Sequence, residues 1–169
     1  PSRQMWFPAQ ARRRMRPRTK EHEWLKKFVG DWETEVEITM APGEEPMKMK
    51  STETARMIGA FWMVAEGKGE HMGFQSVLTI GYNPEKKKYV GTWIDSMSNY
   101  LWNYEGTVDA GGKVLTFETE GPSPMAPTKT SKYKEVTEFK SDDHRVFTSS
   151  IQMDGKWVTF LTAHSRRKK

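Results

Sequence analysis

Two acidic side chains sit among apolar neighbours. Asp95 lies two residues from Trp93, and Glu53 lies four residues from both Met49 and Met57, spacings that put each carboxylate on the apolar side of an extended strand. A carboxylate held there needs a partner or keeps its proton to higher pH. Such groups could work as an acid and base, or hold the polar end of a ligand. The structural alternative bonds them to Arg56, to a tyrosine or to water, and this reading leads. No Ser, His and Asp arrangement at a diagnostic spacing argues for catalysis, so no catalytic residue is assigned and an enzyme using these carboxylates is kept as the rival reading. The histidines His22, His71, His144 and His164 share no HxH or HxxxH spacing; no metal site is assigned, because one would have to be assembled through the fold. The absence of cysteine excludes thiolate nucleophiles, disulfides and Cys-ligated metals.

A second set of chemistry-bearing residues lies at the start of the chain. Residues 1 to 20 carry seven Lys or Arg and no acid, which leaves 20 bases against 22 acids in residues 21 to 169. The overall formal charge of +5 therefore belongs to the ends, and it does not make the body a nucleic-acid binder. Residues 1–18 read as a basic arm. Met5, Trp6 and Phe7 supply hydrophobic anchors, and Arg12, Arg13, Arg14, Arg16 and Arg18 supply charge. Solvated disorder is the ordinary fate of such a composition. As a binding element the arm suits an acidic protein surface first, with arginines pairing to carboxylates. An anionic membrane surface ranks second, and nucleic acid third, since the acidic body would repel it.

The elements that position these residues are mostly strands. Thr19 can cap a short helix over about 20–29, with Glu21 and Glu23 in its first turn, Trp24, Leu25 and Phe28 on one face, and Gly30 as its stop. A period-two segment follows, pointing Trp32, Thr34, Val36, Ile38 and Met40 one way and Glu33, Glu35 and Glu37 the other. Nine further strands are expected at about 48–58, 60–67, 73–82, 87–96, 100–109, 113–120, 131–140, 145–153 and 156–165, separated by turn sequences such as Asn83-Pro84, Gly111-Gly112 and Asp154-Gly155. Gly121 to Thr130, with Pro122, Pro124 and Pro127, reads as a long loop. Residues 19–169 thus read as a single all-β domain, a ten-stranded antiparallel up-and-down barrel with one short N-terminal helix. No apolar run approaches the roughly 20 residues that span a bilayer, and no secretory signal is visible, so a cytoplasmic location is expected.

Gly30-Asp31-Trp32 after a short helix resembles the Gly-x-Trp signature of lipocalins and the wider calycin barrels. In that family an Arg of the last strand packs across the Trp, a role the resemblance gives to Arg166 or Arg167. Over about residues 21–168, the stretches His22-Glu23-Trp24-Leu25, Gly30-Asp31-Trp32, Gly81-Tyr82-Asn83-Pro84, Tyr89 through Met97 and Val136-Thr137-Glu138-Phe139 also resemble the bacterial domain-of-unknown-function family 1579. That resemblance implies a lipocalin-like barrel and no activity.

If Trp32 points into such a barrel, the lumen lining includes Met49, Glu53, Met57, Trp93, Asp95, Trp102, Tyr104 and Trp157. This lining of Met and aromatics suits a small apolar ligand, or else fills the core. Heme is the minor alternative. Some heme-binding ten-stranded barrels use one late-strand His, but His164 alternates out of phase with Trp157 and Leu161. The expected function is a non-enzymatic barrel, an accessory subunit docked through its arm onto a larger assembly, a carrier of a small apolar ligand, or both.

Overall fold

The computed structural model describes residues 17–41, 43–124 and 126–169. Helix α1 spans Lys20–Trp24 and tightens into a 3₁₀ turn over Leu25–Phe28. Its first turn starts from the carbonyl of Thr19, which accepts the backbone N–H of His22 and of Glu23 at 3.1 and 3.3 Å. Ten strands follow: β1 (Gly30–Ile38), β2 (Met47–Ile58), β3 (Trp62–Gly69), β4 (Gln75–Asn83), β5 (Lys88–Asp95), β6 (Trp102–Val108), β7 (Val114–Ser123), β8 (Ala126–Ser141), β9 (His144–Met153) and β10 (Lys156–Arg167).

Each strand pairs antiparallel with its sequence neighbours, and β1 pairs with β10 to close the barrel. Closure removes the edges that would otherwise recruit another chain. Short turns make these hairpins possible. Asn83 Oδ1 accepts the N–H groups of Glu85 and Lys86, and Asp109 Oδ1 accepts those of Lys113 and Val114 at 2.7 and 2.9 Å. Both are local side-chain substitutes for backbone pairing.

The alternation in β1 sets the phase of the whole sheet. Trp32, Thr34, Val36 and Ile38 face in, while Glu33, Glu35 and Glu37 are exposed. Following the registers around the barrel carries the inner face through Ala55, Met63, Ile80, Tyr89, Leu115 and Phe139. These pack with Leu25 and Phe28 of the 3₁₀ turn, so the helical segment plugs one end. Burial of six large side chains there, Trp32, Phe28, Leu25, Met63, Ile80 and Leu115, gains about 1.5–3 kcal/mol each.

Two expectations change. The long loop expected over Gly121 to Thr130 is mostly strand, because β7 runs to Ser123 and β8 starts at Ala126. Pro122 sits at a register shift between Pro122 and Ser123, the kind of irregularity where a strand tolerates proline. Side chains brace this ribbon, since Tyr133 Oη donates to Pro122 O across it and Tyr100 Oη, just before β6, donates to Glu120 O. The second change comes from a bulge in β10 between Thr159 and Leu161. It reverses the phase of the strand's first residues, so Trp157 lies on the outer wall, opposite Gln152 and with Lys134 Nζ 4.3 Å from its ring centroid.

Candidate functional site

The floor of the lumen is built on Trp32, which is fully buried and donates its indole N–H to Phe28 O at 2.7 Å. Of the two arginines assigned to it, Arg167 meets the ring, its guanidinium 4.3 Å from the centroid. That guanidinium also donates to the carbonyls of Val29, Lys27 and Asp142 and pairs with Asp143. Arg166 is exposed on the outer face opposite Glu33. Gly30 is required here: its φ is +129°, and a Cβ would collide with Arg167 Nη1.

A second guanidinium, not anticipated from the sequence, completes the floor. Arg145 of β9 lies 4.5 Å from the Trp32 ring centroid and 5.1 Å from that of Phe28. It is ion-paired with Glu53 across the barrel, with side-chain exposures of 7% and 19%. Glu53 is therefore neutralised by Arg145. Arg56, one of the partners expected, is exposed on the outer face beside Val64. Arg145 Nη1 is the one buried side-chain nitrogen or oxygen without a hydrogen-bond partner among the described residues.

Above the floor the packing changes. The registers turn Met49, Met57, Trp93, Asp95, Trp102 and Tyr104 to the inner face, yet each is only half-buried. Met57 and Tyr104 rest on the core cluster, whereas Trp93 and Trp102 stand opposite each other nearer the open end. Trp102 lies over Gly121, where a Cβ would strike its ring. Asp95 is held by its own neighbours: Oδ2 accepts from Trp93 Nε1 at 3.1 Å, and Oδ1 accepts from Met97 N at 2.8 Å. Around the mouth, Met40, Met47, Met72, Met97, Leu101 and Met153 are exposed, a flexible apolar rim of the type used at adaptable binding surfaces.

The carboxylate with the most unusual setting is Glu135 of β8, also not singled out from the sequence. Its register places it on the inner face between Phe117 and Ser149. It is 9% exposed, and its Oε1 accepts from Ser149 Oγ at 2.9 Å. Burial pushes its acid up to about 7, with the Ser149 hydrogen bond opposing. Burial, then the negative charges of Glu135 and Asp95, raise the Tyr104 phenol above its ordinary range. The signal for both missed residues was their alternation, since Glu135 falls in phase with Tyr133, Thr137 and Phe139, and Arg145 with Phe147, Ser149 and Ile151.

Other assigned residues lie elsewhere. His164 is exposed on the outer face of β10, stacked on His144 with ring centroids 5.5 Å apart, which removes it as an axial ligand for a heme inside the barrel. Burial, then Arg166, lowers the His144 imidazole, with smaller contributions from His164 and Lys140. Among the described residues no three His, Asp or Glu side chains converge as a metal site, and no helix is long and apolar enough to cross a membrane. Of the arm, Arg18 is ion-paired with Glu23 of α1; Met5, Trp6, Phe7, Arg12, Arg13, Arg14 and Arg16 lie outside the described residues.

A family model described as "Protein of unknown function (DUF1579)" matches residues 17–167. Among curated proteins no match is found. Two solved structures are similar in fold. Rv2717c from M. tuberculosis superposes with a TM-score of 0.60 at 12% identity, over 90% of this chain and 100% of its own. The S-type phycobiliprotein lyase CPES from Guillardia theta gives 0.55 at 16% identity, over 88% of this chain and 93% of its own.

Proposed function

Because this chain belongs to the DUF1579 family, whose description supplies no activity, we propose from its own geometry that the barrel binds a small apolar ligand in its lumen. The observation that carries this reading is the division of the inner face. At the plugged end, inward side chains such as Met63, Ile80 and Leu115 are at most 1% exposed, whereas Met49, Trp93 and Trp102 further up stay half-open although their strands turn them inward. Aromatic and methionine side chains left open inside a barrel are a lining, and exposed methionines at the mouth give an apolar body a path to it. The fold shared with a protein named as a phycobiliprotein lyase is consistent with this use. Glu53 is already engaged by Arg145 and Asp95 by Trp93 and Met97, and the Ser149–Glu135 pair has no third, orienting group among the described residues. The reading is therefore of a binding module.

Titration with the neutral dye N-phenyl-1-naphthylamine tests it. Saturable one-to-one binding is expected, with energy transfer from tryptophan, and Trp102→Ala should weaken it by roughly tenfold, the usual value of one aromatic contact. No saturation, or identical affinity in Trp93→Ala, Trp102→Ala and the parent, would count against a lumen site.

Docking onto a larger assembly through the basic arm is a second reading, favoured by seven Lys and Arg without an acid in residues 1 to 20. Deletion of residues 1 to 18 should then abolish co-purification with the native partner while leaving dye binding unchanged. Retained association would exclude the arm as the tether.

A further inference from the structure

The charge and ring arrangement of the upper lumen names the class of ligand, and this rests on the lumen-binding reading above. Trp102 meets Tyr133 edge-on at 5.0 Å, and below them Tyr104 stacks on Phe117 at 5.2 Å. Glu135 is set between Phe117 and Ser149 on this same inner face. Its Oε1 is taken by Ser149, and none of the described residues is paired with Oε2. Since Arg145 Nη1 is the one sealed side-chain nitrogen or oxygen without a partner among the described residues, Glu135 Oε2 opens onto the lumen. The negative charge of Glu135 is felt by Tyr104 and by Tyr133, and that of Asp95 by Tyr104.

Among the described residues no fixed cation answers these acids. The titratable groups that feel Glu135 are Tyr104 and Tyr133, and Asp95, toward the mouth, acts on Tyr104. On its own strand pair the inward base is Arg145, which is held at the floor by Glu53, while Arg167 is spent on backbone carbonyls and Asp143. Lys156, in phase with the lumen at the start of β10, is exposed at the open end. A buried carboxylate is costly until a cation joins it, and the faces of Trp and Tyr attract the same cation through their quadrupoles. Anionic ligands are disfavoured by the same two acids.

We infer that the barrel takes an amphiphilic amine: a compound with an apolar body and an ammonium group, the ammonium resting among Trp102, Tyr104 and Tyr133 against Glu135. The apolar body extends toward the methionine rim.

Three probes with one apolar body separate the possibilities: decyltrimethylammonium, 1-decanol and decanoate, each titrated calorimetrically below its micellar concentration. At about pH 8 the ammonium should bind at least about tenfold more tightly than the alcohol, the contribution expected of a desolvated cation on aromatic faces beside a carboxylate. Glu135→Gln should remove that preference while retaining alcohol binding, and Asp95→Asn should reduce it less. Lowering the pH to about 6 should weaken the ammonium in the parent and leave Glu135→Gln unchanged, because protonation discharges the carboxylate. Equal affinities for ammonium and alcohol in the parent would overturn the inference while the lumen reading stands. A preference surviving in Glu135→Gln would overturn it too, as would tightest binding of decanoate, which would assign the headgroup to Arg145. If none of the three probes nor the neutral dye binds, the lumen reading falls and takes the inference with it.

Discussion

Replacing Arg145 by leucine should lower the stability of the barrel by about 3–5 kcal/mol, the usual cost of leaving one member of a buried ion pair without its partner. Among the described residues Glu53 has no other ion-pair partner, and its side chain is 19% exposed, too little for water to replace a guanidinium. The loss extends beyond the pair, because Arg145 also covers the rings of Trp32 and Phe28. Urea denaturation reads the effect directly. The double variant Glu53→Met with Arg145→Leu should recover most of it, since an apolar pair of similar volume removes the stranded charge. An Arg145→Leu variant within about 1 kcal/mol of the parent would show that the pair is not a structural element. If Arg145→Leu fails to fold, recovery in the double variant still decides the question.

The second large effect lies at Glu135. Its acid is raised by burial from an ordinary 4.5 to about 7, so between those values the folded protein holds a proton that the unfolded chain releases. Stability from this group is full below about pH 4.5 and is lost as pH rises through about 7. The shift corresponds to something on the order of 3 kcal/mol. Glu135→Gln cannot lose the proton, so it should match the parent near pH 4 and exceed it by that amount near pH 8. The difference between the two denaturation curves isolates Glu135 from the other carboxylates, which titrate in both proteins. A difference that stays constant over this range would mean that Glu135 ionises freely inside the barrel.

The architecture was largely legible because its signals are local. Period-two alternation in β1 and turn residues between strands mark ten segments, and antiparallel pairing of neighbours follows from the short connections. What is nonlocal was not legible. The bulge in β10 turns Trp157 outward although its spacing from Leu161 puts both on one side of a regular strand. Prolines 122 and 127 read as a loop, yet the ribbon continues through both, with a register shift at Pro122. In the lumen, spacing placed Asp95 beside Trp93 but said nothing of the hydrogen bond that engages it. Arg145 and Glu135 each carry a local signal, a single charge in an otherwise apolar or neutral phase, but what they meet is set only once the strands pair. Their registers, Glu135 opposite Ser149 and Phe139 opposite Arg145, depend on tertiary pairing.

The seam between β1 and β10 also constrains how the molecule comes into being. Each of the other pairings joins sequence neighbours and can zip locally as the chain lengthens. The seam instead brings together groups such as Val29 and Arg167, separated by 138 residues, and closing a loop of that size is slow because its entropy is lost before its contacts form. During synthesis the first strand therefore waits with an open edge until the last has emerged. The Trp32 floor, which needs Arg167 from one side of that seam and Arg145 beside it, is completed only at this final step. A nascent barrel can thus have nearly all its hairpins and still lack a base on which a ligand can rest.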